Sequence, residues 1–165
     1  MDQALFEAYL KILREEAKII RQLTDLEQRK LADVRADNVK GVDDCIRQEQ
    51  VLSLSLRGQE QRREKALAAM GLKSIPLSGL VAHAPDALRM ETVAVANDLT
   101  AAYETYRSAS GAARSALERV LHQVDRMLAA AKQEAPQARP AAHPSPRQPE
   151  AEEPPVGGHG ADFKA

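Results

Sequence analysis

The sequence predicts an all-α protein, a long antiparallel helical hairpin with a third long helix packed against it, and three observations carry that prediction. Aromatic residues make up 3% of the chain and charged residues 28%, a balance that suits long solvated helices and denies a pleated sheet the bulky residues it needs. The first proline is Pro76, and seven of the nine prolines lie after residue 135, so the residue that breaks helix interiors is absent from the first part of the chain. Apolar residues recur in steps of three and four, the period of an amphipathic helix.

The first helix is expected from about residue 3 to about 36. Leu5, Tyr9, Ile12, Ile19, Leu23 and Leu26, with Phe6, Leu10, Leu13 and Ile20 beside them, form one wide apolar stripe. Asp37 and Asn38 then offer side chains that compete for backbone hydrogen bonds and favour a turn. A second helix returns antiparallel, with Val39, Val42, Ile46, Leu52, Leu56, Leu67 and Met70 expected to face the first, and Gly71 closes it as a C-terminal cap. Glu49, Glu60 and Arg63 interrupt that stripe. Glu60 and Arg63 are expected at the flank of the helix pair, in local ion pairs worth about 0.5 kcal/mol each.

Residues 72–85, LKSIPLSGLVAHAP, are apolar for a connector. Leaving Leu72, Ile75, Leu77, Leu80 and Val81 in water would forgo roughly 1.5–3 kcal/mol each, which predicts that the segment folds over the end of the bundle, with Ser78 capping one helical turn. Pro85 and Asp86 suit the first turn of a third helix, whose stripe reads Leu88, Val93, Leu99, Tyr103, Tyr106, Ala113, Leu117, Val120, Leu121, Val124, Met127 and Leu128, to about residue 132. At ~1.5 Å per residue the rods are roughly 50, 50 and 65 Å long, so the third must overhang the hairpin. Gly111, in the small-residue run SASGAARSA, marks a place for a bend or for close approach of another backbone. The expected division is a helical domain over 1–132 and a disordered tail rich in proline and alanine over 133–165.

Several kinds of chemistry have no foothold. The histidines, His83, His122, His143 and His159, are scattered without metal-ligand pairing, and no GxGxxG, GxxxxGK[ST] or GxSxG occurs, so no catalytic residue, cofactor or metal site is expected. The single cysteine, Cys45, falls at an apolar helical position and reads as a small buried side chain. A net charge of −1, with basic and acidic residues interleaved and few aromatic platforms, argues against nucleic acid as a partner. No run of about 18 apolar residues exists to enter a bilayer and no signal-peptide pattern opens the chain, so the expected location is the cytoplasm.

The residues that carry a family likeness are the first helix, LKILREEAKIIRQLTDLEQRKLADV, the Asp-Asn break, and a second helix in which Glu49, Leu52, Leu56, Glu60, Arg63, Leu67, Met70 and Gly71 follow in order before SIPLSGLVAHAP. Over about residues 4–131 this pattern resembles the FlgN-like flagellar type III export chaperones. It departs from them in the third helix, where Ser108 to Gly111 replace the spaced asparagines common in the family. The resemblance implies a cytoplasmic chaperone that binds the C-terminal helical segments of hook-associated proteins of the FlgK and FlgL type and delivers them to an export-gate component of the FlhA type. Such capture would be helix-in-groove recognition by Leu117, Val120, Leu121, Val124, Met127 and Leu128, six apolar residues worth on the order of 10 kcal/mol if buried; the same six would alternatively complete the protein's own bundle. Phe163, in the terminal GADFKA, is a candidate for docking at the export gate. The rival reading is a structural coiled-coil subunit of an export apparatus or another assembly, and the sequence leaves the oligomeric state open.

Overall fold

A computed structural model describes residues 2–72 and 75–134. The predicted tail boundary at 132/133 falls two residues short of the end of the last helix, and residues 135–165, Phe163 among them, lie outside the described residues. Three α-helices, α1 (Gln3–Arg35), α2 (Val39–Ala69) and α3 (Arg89–Glu134), are joined by a three-residue turn and by a connector containing two 3-10 turns, Leu77–His83 and Asp86–Leu88. No strand occurs among the described residues.

α1 is the central rod. Asp2 caps its first turn by accepting from the Ala4 N–H at 3.0 Å, and its inward face buries Phe6, Leu10, Leu13 and Ile20 completely. That face is rotated slightly from the expected one: Leu5 is exposed and Ile12 half-buried, because positions 6, 10, 13, 17 and 20 lie under both neighbouring helices. α1 ends at Ala36, and Asp37 takes a left-handed φ of 53°, a conformation that the short polar Asp tolerates. Asn38 then caps α2. Its Oδ1 accepts from the Gly41 N–H at 3.1 Å while its Nδ2 donates to Asp33 at 2.8 Å, tying the two helices together across the turn. Gly41 is buried against this network, and a Cβ there would collide with the Asn38 amide and the Asp33 carboxyl.

The α2 face differs from the expected one. Val39 and Ile46 are exposed, and the positions turned towards α1 are Gly41, Cys45, Glu49, Leu52, Leu56, Arg63 and Leu67. Cys45 is fully buried, as expected, with its thiol pushed up in pKa chiefly by burial. At the far end Gly71 adopts φ 74°, Leu72 N–H reaches Leu67 C=O at 2.9 Å and Gly71 N–H reaches Ala68 C=O at 3.0 Å, a Schellman closure in which Leu72 packs back onto the core.

The connector covers the bundle end as predicted: Leu80 and Ala84 are buried in the same core as Phe6 and Leu10, with Leu72 and Leu77 packed against it. Its first turn has no side-chain cap, since Pro76 and not Ser78 precedes it. Pro85 introduces a 3-10 turn, and the α-helix proper begins only at Arg89, three residues later than the proline pattern suggests. Thr92 is buried there without cost, its hydroxyl donating to the Leu88 carbonyl at 2.8 Å. α3 then runs unbroken to Glu134. Gly111 does not interrupt it, and among the described residues nothing lies within 4 Å of a Cβ built at that position.

Candidate functional site

Two ion pairs fix how α3 lies on α1. Arg14 pairs with Glu91 and Arg21 with Asp98, both 77 residues apart, so the helices run parallel in a constant register. At that offset Arg35, the last residue of α1, stands level with Ala112. Burial on α3 stops where this register says it must: Ala113 and Ala116 are buried, Leu117 is half-buried, and every residue from Glu118 to Gln133 is exposed. Roughly 25 Å of helix therefore projects beyond the hairpin tip.

The projecting segment carries the predicted apolar set. Val120, Leu121, Val124, Met127 and Leu128 are all exposed, from 38% at Val120 to 64% at Met127, and form one face at spacings of three and four. The structure thus brings Val120, Leu121, Val124, Met127 and Leu128 together as an exposed ridge, with half-buried Leu117 at the point where it leaves the bundle, and no described element covers the other five. Their rows begin inside the bundle. Tyr103, Ser110, Leu117 and Val124 recur every seven residues, as do Arg107, Arg114, Leu121 and Leu128. Along the first part of these rows lies an open groove of about 710 Å³ lined by Tyr103, Tyr106, Arg107, Ser110 and Arg114.

Of the two charged residues expected at the flank in local ion pairs, Arg63 turns inward to Glu16 of α1 and Glu60 is half-buried with no ion pair among the described residues. Glu16 is fully buried, its Oε1 accepting from the Tyr103 hydroxyl at 2.8 Å and its Oε2 facing Arg63 Nε at 3.6 Å. A single carboxylate thereby links all three helices. Burial, reinforced by the Glu16 charge, pushes the Tyr103 phenol well above its ordinary pKa, which keeps it a hydrogen-bond donor. About four turns nearer the tip, Lys30 lies 2.5 Å from Glu49 and 2.9 Å from Glu27. Burial opposes the Lys30 charge, but the two carboxylates outweigh it and raise its pKa. Glu49 is shifted up as well, first by burial and then by Glu27, against the pull of Lys30. The two shifts point oppositely for the ion pair, and the reason is stoichiometric: two acids share one ammonium, so the lysine is held charged while one acid is not fully compensated. The sequence signal for these clusters was present, since Glu16 stands three residues after Leu13 and four before Ile20, at a core position of the α1 stripe.

Among the described residues no group of three or more histidine, cysteine or acidic side chains is placed to hold a metal ion. His83 is exposed on the connector and His122 on the projecting helix, while His143 and His159 lie outside the described residues. No described helix is long and apolar enough to cross a membrane. A family model described as FlgN protein matches residues 1–139. Comparison with curated proteins and with solved structures returns no match.

Proposed function

The chain belongs to the FlgN family of flagellar export chaperones, and on that footing we propose that it captures the C-terminal helical segments of hook-associated proteins of the FlgK and FlgL type on the projecting ridge of α3 and presents them to an FlhA-type component of the export gate. The observation that carries this reading is the ridge itself: five exposed apolar side chains on a helix packed in the bundle at one end and accompanied by no other described element at the other. The exposed portions of Val120, Leu121, Val124, Met127 and Leu128 amount to between two and three whole side chains, so covering them returns about 4–8 kcal/mol before ordering costs are subtracted. A gain of that size supports reversible capture, which a chaperone that must hand over its client requires. The site is expected to cover the apolar face of an amphipathic client helix and so keep it from pairing prematurely in the filament.

Size-exclusion chromatography with light scattering, with and without C-terminal segments of hook-filament junction proteins, tests the reading. A saturable 1:1 complex is the expected result. An elongated oligomer indifferent to those segments would instead favour a structural coiled-coil subunit. Phe163 is proposed to contact the export gate from the end of the chain, and deleting residues 136–165 should then spare client binding while slowing secretion; an unchanged secretion rate removes that role.

A further inference from the structure

The ridge is the distal part of a longer track. The two heptad rows that supply Leu117, Leu121, Val124 and Leu128 continue towards the bundle as Tyr103 and Ser110 on one row and Arg107 and Arg114 on the other, along the open groove beside α3. Arg107 and Arg114 are both exposed, and neither guanidinium makes an ion pair with any described residue, although Glu104 and Glu118 stand one turn away on the same helix. From Tyr103 to Leu128 the track extends about 38 Å, apolar over its outer end and carrying two arginines against one acid, Glu104, in the lining of its inner end.

Resting on the client-binding reading above, we infer that this track takes one amphipathic client helix whose apolar stripe covers the ridge and whose acidic side chains, about seven residues apart, meet Arg107 and Arg114. The two arginines set the direction and register of the client; the ridge supplies most of the affinity. Charge at the edge of an apolar contact acts mainly in this way, on encounter, register and choice of partner. A second copy of the chain is a poor occupant. Antiparallel pairing of two such tracks lays Arg107 and Arg114 of one copy against Leu128 and Leu121 of the other, with no acid directly opposite either guanidinium, and parallel pairing sets arginine on arginine. The track therefore discriminates against itself and favours an acidic, apolar helix from another chain.

The test is binding of the full-length chaperone to a fluorescently labelled C-terminal segment of a hook-filament junction protein from the same cell, by anisotropy, for the wild type, Arg107→Glu with Arg114→Glu, and Val120→Asp with Val124→Asp. Both arginines are exposed and make no ion pair among the described residues, so their reversal should leave helicity and melting temperature near wild type, short of the few tenths of a kcal/mol that like charge with Glu104 and Glu118 costs. At low ionic strength the arginine variant is expected to bind about tenfold more weakly, with the deficit closing at about 0.5 M salt, where exposed charges are screened. Binding within about twofold of wild type at low salt overturns the inference. A deficit that persists in high salt also overturns it, since the residues would then act through the fold and not through charge. In either case, loss of binding in the valine variant leaves the broader reading standing. Full binding by the valine variant, or none by the wild type, sinks both.

Discussion

Replacing Arg63 by alanine isolates the most consequential charge in the bundle. Glu16 has no exposure to solvent, and among the described residues its only compensating group apart from Tyr103 is the Arg63 guanidinium at 3.6 Å. With an effective dielectric of about 20, attraction at that distance is about 4–5 kcal/mol. One third of the Arg63 side chain meets water, which screens the pair, and the expected loss for Arg63→Ala is about 2–3 kcal/mol, below the range for a pair sealed on both sides. In urea denaturation followed by far-UV ellipticity, a slope of about 2 kcal/mol per molar puts the midpoint lower by roughly 1–1.5 M. The double substitution Glu16→Leu with Arg63→Leu removes both charges and should recover most of this loss or exceed wild-type stability, since apolar replacement of a buried pair is often neutral or better. The two effects must therefore be strongly non-additive. An Arg63→Ala midpoint indistinguishable from wild type, or a double variant less stable than either single one, would refute the argument that Glu16 is a buried charge held by Arg63.

Three further outcomes follow from the same structure. Val120→Asp with Val124→Asp should leave ellipticity and melting temperature near wild type, because valine and aspartate have similar helix propensities and both sites project past the hairpin tip; cooperative unfolding at a markedly lower temperature would mean that the ridge is core. Gly41→Ala should destabilise by about 1–2 kcal/mol despite its better helix propensity, since the new methyl displaces the Asn38 cap from Asp33; a gain in melting temperature would show that the cap yields freely. Lys30 and Tyr103 both have raised pKa values in the folded state, so the unfolded chain releases those protons first as pH climbs past the ordinary 10.5 and 10.0. Their contribution to stability is complete below those values and is lost above them, which predicts an alkaline fall in melting temperature that Lys30→Met and Tyr103→Phe each reduce.

The residues that carry the family likeness have structural work to do in this fold. Glu49 and Arg63 make the ion pairs that tie α2 to α1, Leu67 and Gly71 close α2, and none of them lies on the projecting ridge. A likeness of this kind marks how the hairpin is built. The exposed ridge proposed to take a client is set instead by residues further along α3, at Val120 to Leu128, whose apolar spacing alone suggested a binding face.

The sequence by itself determined the elements and their ends. Helical period, proline placement, the Asp-Asn turn, Gly71 and the apolar connector are local properties, decided by backbone sterics and by which side chains share a helix face, and the three helices fall within a few residues of where those properties put them. Only the tertiary structure decided which face of α2 turns inward, that Glu16 and Lys30 are buried with their partners, and that α3 runs parallel to α1 and so leaves the ridge beyond the hairpin tip. The physical reason is that a helical period fixes which residues stand together on one rod but not the rotation or register of one rod against another. Those depend on contacts between residues 14 and 91, 16 and 63, or 30 and 49, pairs that no local pattern connects.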